Sequence, residues 1–561
     1  MEPEPLRLEP DVLPPNRAPL RRVDETLRGV HEALRATFAS PLVQRIVVAL
    51  VALLYLVPRA LVNLDLYDEG IRLYGGMRVL GGALPYHDFF AYYGPAEFYW
   101  PAALFAVFGE QIIVARMGAV CFVVLALWAL MQVLQRAGSG ALGKLCAAAA
   151  VLVPLSVLPL FALDPSLALA LGAAALLLGG FGTSRLIGAG VCLGLASTFR
   201  HDFGAYASVA SVALLAVSGW ERGAGRAGLL LLLRRTGVVA AAALATALAV
   251  YGPIAARDPR RVWDSLVPKL AYLMEFRSIP YRYSFGGVWR KFVFLGDSAA
   301  DDLRLLLMLA PGLGALALLG MLVPPVLRDI YADRRRAGAL AFLVCFGLGL
   351  CVYAFGRADY THSYPLYCAA SGALAIVLSA ARRALRSPRA TLVASLAFAA
   401  VMATMVGVGV DANWAEWRVR RPVALAKARW LRIDKGSRWV ASLLSDVERF
   451  AGDKPVFVGS GRHDRVHKNL MLLYFLAGRP AATYYQDMLP GLTPTEEVQQ
   501  RIIADLESSD ARVAVQWLTK VRNEPNRSGT ERGSKLLDQY LASHFAVKVK
   551  NSVYRVLVRK P

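Results

Sequence analysis

Asp65-Leu66-Tyr67-Asp68-Glu69-Gly70 sets carboxylates close together immediately after an apolar run. Adjacent carboxylates at an apolar helix end lose part of their hydration. That raises a carboxyl pKa and makes the ionised form a better proton acceptor, the property a general base needs. The plain alternative is a solvated acidic loop. Asp164-Pro165 puts another acid at a turn, and Asp-Pro is also an ordinary turn and cap signal. Arg200-His201-Asp202 and Gly356-Arg357-Ala358-Asp359-Tyr360-Thr361-His362 each bring Arg, Asp and His within a few residues. A His beside an Asp is an oriented base or ligand, although neither spacing is a zinc motif. An arginine fork pairs two phosphate oxygens in fixed geometry. Arg200 and Arg357 are therefore candidate phosphate ligands, with an interfacial salt-bridge turn as the alternative at both places.

Between the first acids and Arg116 the chain is broken by Gly75-Gly76, Gly81-Gly82, Gly94-Pro95 and Gly109. It carries Pro85-Tyr86-His87-Asp88-Phe89-Phe90 and Trp100 to Phe108. Tyr86, His87 and Asp88 join the candidates for lining a site. The aromatics suit short helices lying along a membrane surface. A second long segment, 257–302, is basic. Its Arg257, Arg260, Arg261, Arg277, Arg282 and Arg290 are interleaved with Trp263, Tyr272, Tyr281 and Tyr283. Contact with anionic headgroups is one explanation for that charge.

These groups must be positioned by apolar helices. Hydrophobic residues make up 56% of the 561-residue chain and charged ones only 19%, too apolar for a soluble protein of this size. The net charge of +22 suggests nucleic acid until the basic residues are located. Many sit in short clusters between apolar runs, as the positive-inside rule has it. Spans of about 20 residues are needed to cross a bilayer, and about eleven candidates can be traced between residues 42 and 410. The short loops holding Arg21 to Arg35, Arg136, Arg185, Arg222 to Arg235, Arg328 to Arg336 and Arg382 to Arg389 are assigned to the cytoplasm. The long mixed segments fall on the outer side, as do Asp164, Arg200 to Asp202 and Arg357 to His362. The six cysteines show no CxxC spacing and read as small buried hydrophobes.

The expected division is a cytoplasmic segment at 1–41, a transmembrane module at 42–410 and an outer α/β domain at 411–561. In the last, Pro455 to Gly459 and Val513 to Trp517 read as strands. Residues 465–477, 494–508 and 532–543 read as helices, and Phe545 to Val549 with Val553 to Val558 as a terminal hairpin. Gly459-Ser460-Gly461 lacks the third glycine and downstream acid of a dinucleotide loop.

The order acid-Glu-Gly, Gly-Gly, Pro-Tyr-x-Asp-Phe, Gly-Pro, Phe-Gly and Arg across residues 64–116 resembles the first outer loop of the C-type membrane glycosyltransferases. That family includes the protein O-mannosyltransferases and the lipid A aminoarabinose transferase. The resemblance extends in architecture over 42–410. It implies a bundle of spans with interfacial helices in the first loop, and a first-loop aspartate as catalytic base. That base maps onto Asp68, with Glu69 beside it. It also implies an acid near Asp164, which in some relatives helps hold a divalent metal.

The function expected is transfer of a hexose or pentose from a polyprenyl-phosphate carrier to a glycan, lipid or protein acceptor in a bacterial envelope, with inversion. The enzyme would sit in the inner membrane and need no nucleic acid partner. A departing lipid phosphate also accounts for the basic outer loop, because cations stabilise the charge that grows as the sugar bond breaks. Arg277 and Arg282, flanking Ile279-Pro280-Tyr281, are its candidate ligands. Two rivals stand beside this reading. A transporter or flippase of lipid-linked glycans would show midplane charges, broken helices in corresponding halves and an internal repeat, none of which is apparent. A non-catalytic envelope assembly protein would have dispensable loop acids.

Overall fold

The computed structural model describes residues 40–219, 225–266, 275–280, 307–384, 388–466, 468–518 and 524–561. It is a helical bundle with a small mixed sheet near the C-terminus, the fold class the sequence implies. In chain order, the helices that position the candidate residues are α1 (Pro41–Ala60), α2 (Asp68–Leu80), α3 (Ala96–Phe108), α4 (Ile112–Arg136), α5 (Pro165–Leu178), α6 (Thr183–Phe199), α7 (His201–Gly219), α8 (Gly225–Ala255), α9 (Arg334–Gly356), α10 (Tyr360–Ala384) and α11 (Pro388–Val419). Among the described residues six of them, α1, α4 and α7 to α10, are long and apolar enough to cross a membrane by length and composition. Ala310–Met321 and Pro324–Ala332, bent by 89°, count as a seventh if read as one broken span, and three apolar helices are shorter. That break is not foreseen in the sequence.

The local reasons are ordinary. Asp164 caps α5 by accepting the Ser166 N–H at 2.8 Å, with Pro165 at the first helical position. Asp333 caps α9 in the same way. Gly190 and Gly194 let α6 and α8 touch: a Cβ on Gly190 would lie 2.4 Å from the Val239 carbonyl oxygen. Small residues at such crossings are what brings apolar helices into close contact. At one end of the bundle, arginines bridge helices through Asp329. Arg336 reaches its carboxylate at 2.6 Å and Arg383 at 2.9 Å. The opposite end carries the candidate residues.

The expected boundary at 411 falls inside α11, which continues to Val419 and stays in the bundle there. Asn413 donates to the Tyr55 carbonyl at 2.9 Å, and Glu416 pairs with Arg59 at 3.3 Å. Beyond it lie strands β1 (Val456–Ser460), β2 (Val513–Trp517), β3 (Phe545–Lys550) and β4 (Tyr554–Arg559), in the order β1-β2-β4-β3. The first pair is parallel and the others antiparallel. Helices Met471–Ala477, Glu496–Ser508 and Leu536–His544 accompany the sheet. One continuous apolar core joins this domain to the first loop. Tyr74 stacks on Tyr474 with ring centroids 4.8 Å apart, and Phe105 on Phe475 at 5.5 Å. The C-terminal domain is therefore packed into the first loop rather than tethered beyond it.

Candidate active site

Asp65 begins the site. Its Oδ1 accepts the N–H groups of Tyr67 and Asp68, each at 3.0 Å, closing the turn that starts α2. Burial, then the charges of Asp68 and Glu69, push its carboxyl up to about 6. Asp68 opens α2, where the unpaired N–H groups of the first turn favour a carboxylate. Its side chain is 32% exposed and pairs with Lys468 Nζ at 3.2 Å. Glu69 has a different setting. Arg116 grips both of its oxygens, at 2.6 and 2.7 Å, and also donates to the carbonyls of Ala60, Val62 and Asn63. Of the two adjacent acids, Asp68 is the one left facing partly open space.

Lys468 comes from the C-terminal domain, in a loop that the periodicity of 465–477 assigns to a helix. The helix begins only at Met471. Asn469 explains the delay. Its Nδ2 donates to the Val458 and Gln486 carbonyls at 2.8 and 2.7 Å, and its Oδ1 accepts the Met488 N–H at 3.3 Å. A side chain that satisfies distant backbone competes with helix formation. His463, fully buried, anchors the other end of the loop through Asp538 at 2.7 Å. The helix that follows is laid over the start of α2, where the Leu472 N–H reaches the Leu66 carbonyl at 3.1 Å.

Asp487 lies behind it. It is 1% exposed, and neither carboxylate oxygen makes a hydrogen bond of normal geometry among the described residues. Burial pushes it up to about 7, against the lowering effect of the nearby Tyr67 hydroxyl and the Arg277 guanidinium. Arg277 sits over the Tyr92 ring at 5.5 Å, close enough for its charge to act on Asp68 as well. Arg282 lies outside the described residues.

A polar network continues inward from α2. Arg72 donates to the Asp68 carbonyl at 3.3 Å and pairs with Glu97 at 2.5 Å, flanked by the rings of Tyr93 and Phe161. Asp164 is buried nearby. Desolvation, then the charge of Glu97, push it up to about 7, with Arg200 pulling the other way. Arg200 is held by both oxygens of Asp202, at 3.0 and 2.7 Å, and by the Tyr353 hydroxyl at 3.1 Å. Arg357 binds Glu524 at 2.9 and 3.1 Å and the Arg277 carbonyl at 2.6 Å. Asp359 is held down to about 2: burial works against the charge, but His362 at 2.8 Å and Arg357 at 3.3 Å outweigh it. Arg200 and Arg357, two of the four arginines read from sequence as phosphate ligands, thus have carboxylate partners. His201 stands half-buried beside Arg200 and Asp202.

Tyr86, His87 and Asp88 do other work. Tyr86 is buried with a φ of 66° and donates to the Tyr93 carbonyl at 2.5 Å. His87 and Asp88 pair at 2.7 Å on the surface, and Asp88 accepts the Leu84 N–H at 2.7 Å. These contacts shape the loop. Nor do Asp68, Glu69 and Asp164 converge as the oxygen ligands of a metal. Glu69 is closed by Arg116, and no group of three or more His, Cys, Asp or Glu among the described residues is placed to hold an ion. A cavity of about 500 Å³ does form next to Asp68, lined by its neighbours Asp65, Tyr67, Glu69 and Arg72, by Phe161, and by Lys468 and Trp517 of the C-terminal domain, while Asp68 itself is not part of the lining. Glu97, Arg72, Lys468 and Asp487 escape the sequence reading. Only Glu97 leaves a signal there, as an acid in an otherwise apolar helix.

No family model matches the chain, and no curated protein does. Solved structures do. ArnT from Cupriavidus metallidurans bound to undecaprenyl phosphate superposes with a TM-score of 0.51 at 13% identity, covering 92% of this chain and 97% of that one. The same enzyme in the apo state gives 0.52 at 15% identity over the same shares. An oligosaccharyltransferase of Archaeoglobus fulgidus is more distant, at 0.44 and 10% identity over 84% of this chain and 68% of its own. Over nearly its whole length the backbone follows the same course: the chain has the fold of the Cupriavidus ArnT structures.

Proposed function

We propose that this protein is a membrane glycosyltransferase that takes a sugar from a polyprenyl-phosphate carrier and places it on an acceptor in the cell envelope. The observation that carries the reading is the setting of Asp68. It is a helix-N-terminal carboxylate, partly open, flanked by Lys468 and within the field of Arg277, beside a cavity lined by the first loop. The bound lipid phosphate of the Cupriavidus enzyme supports the donor class.

In the reaction proposed, the acceptor oxygen attacks the anomeric carbon from the face opposite the phosphate. Its proton passes to Asp68. The electron pair of the breaking carbon–oxygen bond leaves on the phosphate, whose growing charge is met by Arg277. A single displacement of this kind inverts the anomeric centre. Asp65 and Glu69 set the geometry of Asp68 through the turn and through Arg116. Arg72, Glu97 and Asp164 form the wall beneath it. Arg200 and Arg357 hold helix ends and loops together. The catalytic end then faces the outer side of a bacterial inner membrane, with the C-terminal domain also outside. The sugar is a hexose or pentose, and the acceptor a glycan, lipid or protein.

The test is transfer from radiolabelled undecaprenyl-phosphate sugars to an envelope fraction by the purified full-length protein. Label transferred by the wild type and not by Asp68→Asn supports the reading. Equal transfer by both, or none by the wild type from any such donor, contradicts it.

A further inference from the structure

Four cations line the cavity beside Asp68: Arg59, Arg72, Arg116 and Lys468. Three are committed. Arg59 pairs with Glu416 at 3.3 Å, Arg72 with Glu97, and Arg116 with Glu69 and three backbone carbonyls. Lys468 differs. Its side chain is 47% exposed, and its ion pair is with Asp68 itself. Its ammonium lies over the Tyr67 ring at 4.7 Å. An ammonium has three donors, and one satisfies Asp68. The backbone beneath it is fixed, since the Lys468 carbonyl accepts from Ser460 Oγ at 3.0 Å and the next residue is Asn469 with its three anchors. A long flexible stem thus stands on a rigid base at the edge of the cavity.

The ion pair occupies Asp68 Oδ2, an oxygen that an acceptor hydroxyl would need. A lipid phosphate entering the cavity offers the ammonium several strong acceptor oxygens. From these observations we propose that Lys468 is a donor-phosphate ligand delivered by the C-terminal domain, resting on Asp68 while the cavity is empty and moving to the phosphate when it is filled. Donor arrival then releases the base. The acceptor is deprotonated only when a donor is present, which suppresses unproductive chemistry at Asp68. This deepens the function proposed above and rests on it. It also gives the C-terminal domain a part in the reaction itself.

The experiment is equilibrium binding of undecaprenyl phosphate to the purified full-length protein, comparing wild type, Lys468→Ala, Lys468→Arg and Asp68→Asn. Thermal melts identify any variant that is not folded. Lys468→Ala should weaken binding about tenfold, the scale of one charge-assisted contact. Lys468→Arg should keep most of the affinity. Asp68→Asn should bind more tightly than wild type, because it removes the competitor for the ammonium. A structural role for the pair would instead make Asp68→Asn and Lys468→Ala weaken binding alike. Wild-type binding with Lys468→Ala unchanged, or Asp68→Asn weakened, overturns the role of Lys468 while leaving the donor class standing. No binding by the wild type overturns both. If Lys468→Ala does not fold, the direction of the Asp68→Asn change decides.

Discussion

Lys468 Nζ lies 3.2 Å from Asp68 Oδ2, across 400 positions of sequence. The pair joins the C-terminal domain to the first loop at a helix-N-terminal acid whose carboxylate is 32% exposed. The docking that produces it is tight, because α2 brings its backbone against that of the facing helix at a glycine.

That glycine is Gly70. A Cβ there would lie 2.3 Å from the Leu472 backbone nitrogen and 2.7 Å from the Met471 carbonyl carbon, and backbone cannot move aside as a side-chain tip does. Gly70→Ala should loosen the domain from α2. Limited proteolysis would report it as faster cleavage within 461–470 and loss of transfer. Gly140→Ala, where a Cβ meets nothing within 4 Å, should behave as wild type.

Glu69 and Arg116 form a buried, bidentate pair. Breaking such a pair from one side costs about 3–5 kcal/mol, since the remaining charge is stranded. Arg116→Met should therefore lower the melting temperature sharply, and Glu69→Gln should lower it less. Transfer normalised to folded Glu69→Gln should stay much nearer wild type than Asp68→Asn does. A Glu69→Gln protein that melts normally yet transfers nothing would return Glu69 to the chemistry.

Asp487 gives a pH test. Its folded pKa, about 7, stands above the unfolded value of about 3.9. The folded state thus binds the proton more tightly, and stability falls as pH rises from the unfolded to the folded pKa. The groups facing it are Tyr67 and Asp68 from the first loop, Arg277 and Lys468. Asp487→Asn should melt above wild type at pH 8, and the gap should narrow as pH falls below 7 and close near pH 4. A constant gap, or none, contradicts this account of the buried carboxyl.

Much of this was legible in the sequence, for physical reasons that differ by element. The apolar helices and the strands Val456–Ser460 and Val513–Trp517 follow from periodicity and run length. The capping role of Asp164 is a local signal. What could not be read was which charges find partners. Arg200 and Asp202 are near neighbours, yet nothing local announces that the Tyr353 hydroxyl would complete their cage. Arg357 meets Glu524 across 167 positions. Residues 465–477 look helical throughout, yet the helix begins only at Met471, after Asn469 has bound three distant backbone groups. Contacts made across the whole chain decide the site, and they leave no local pattern.

In the reaction proposed, Asp68 takes the acceptor's proton. The most direct measurement is the transfer rate of purified Asp68→Asn at saturating donor and acceptor, beside its melting curve. Loss of a positioned general base should slow transfer by about 10²–10⁴-fold while the melt stays near that of the wild type. A folded Asp68→Asn protein that transfers sugar at the wild-type rate would contradict the account.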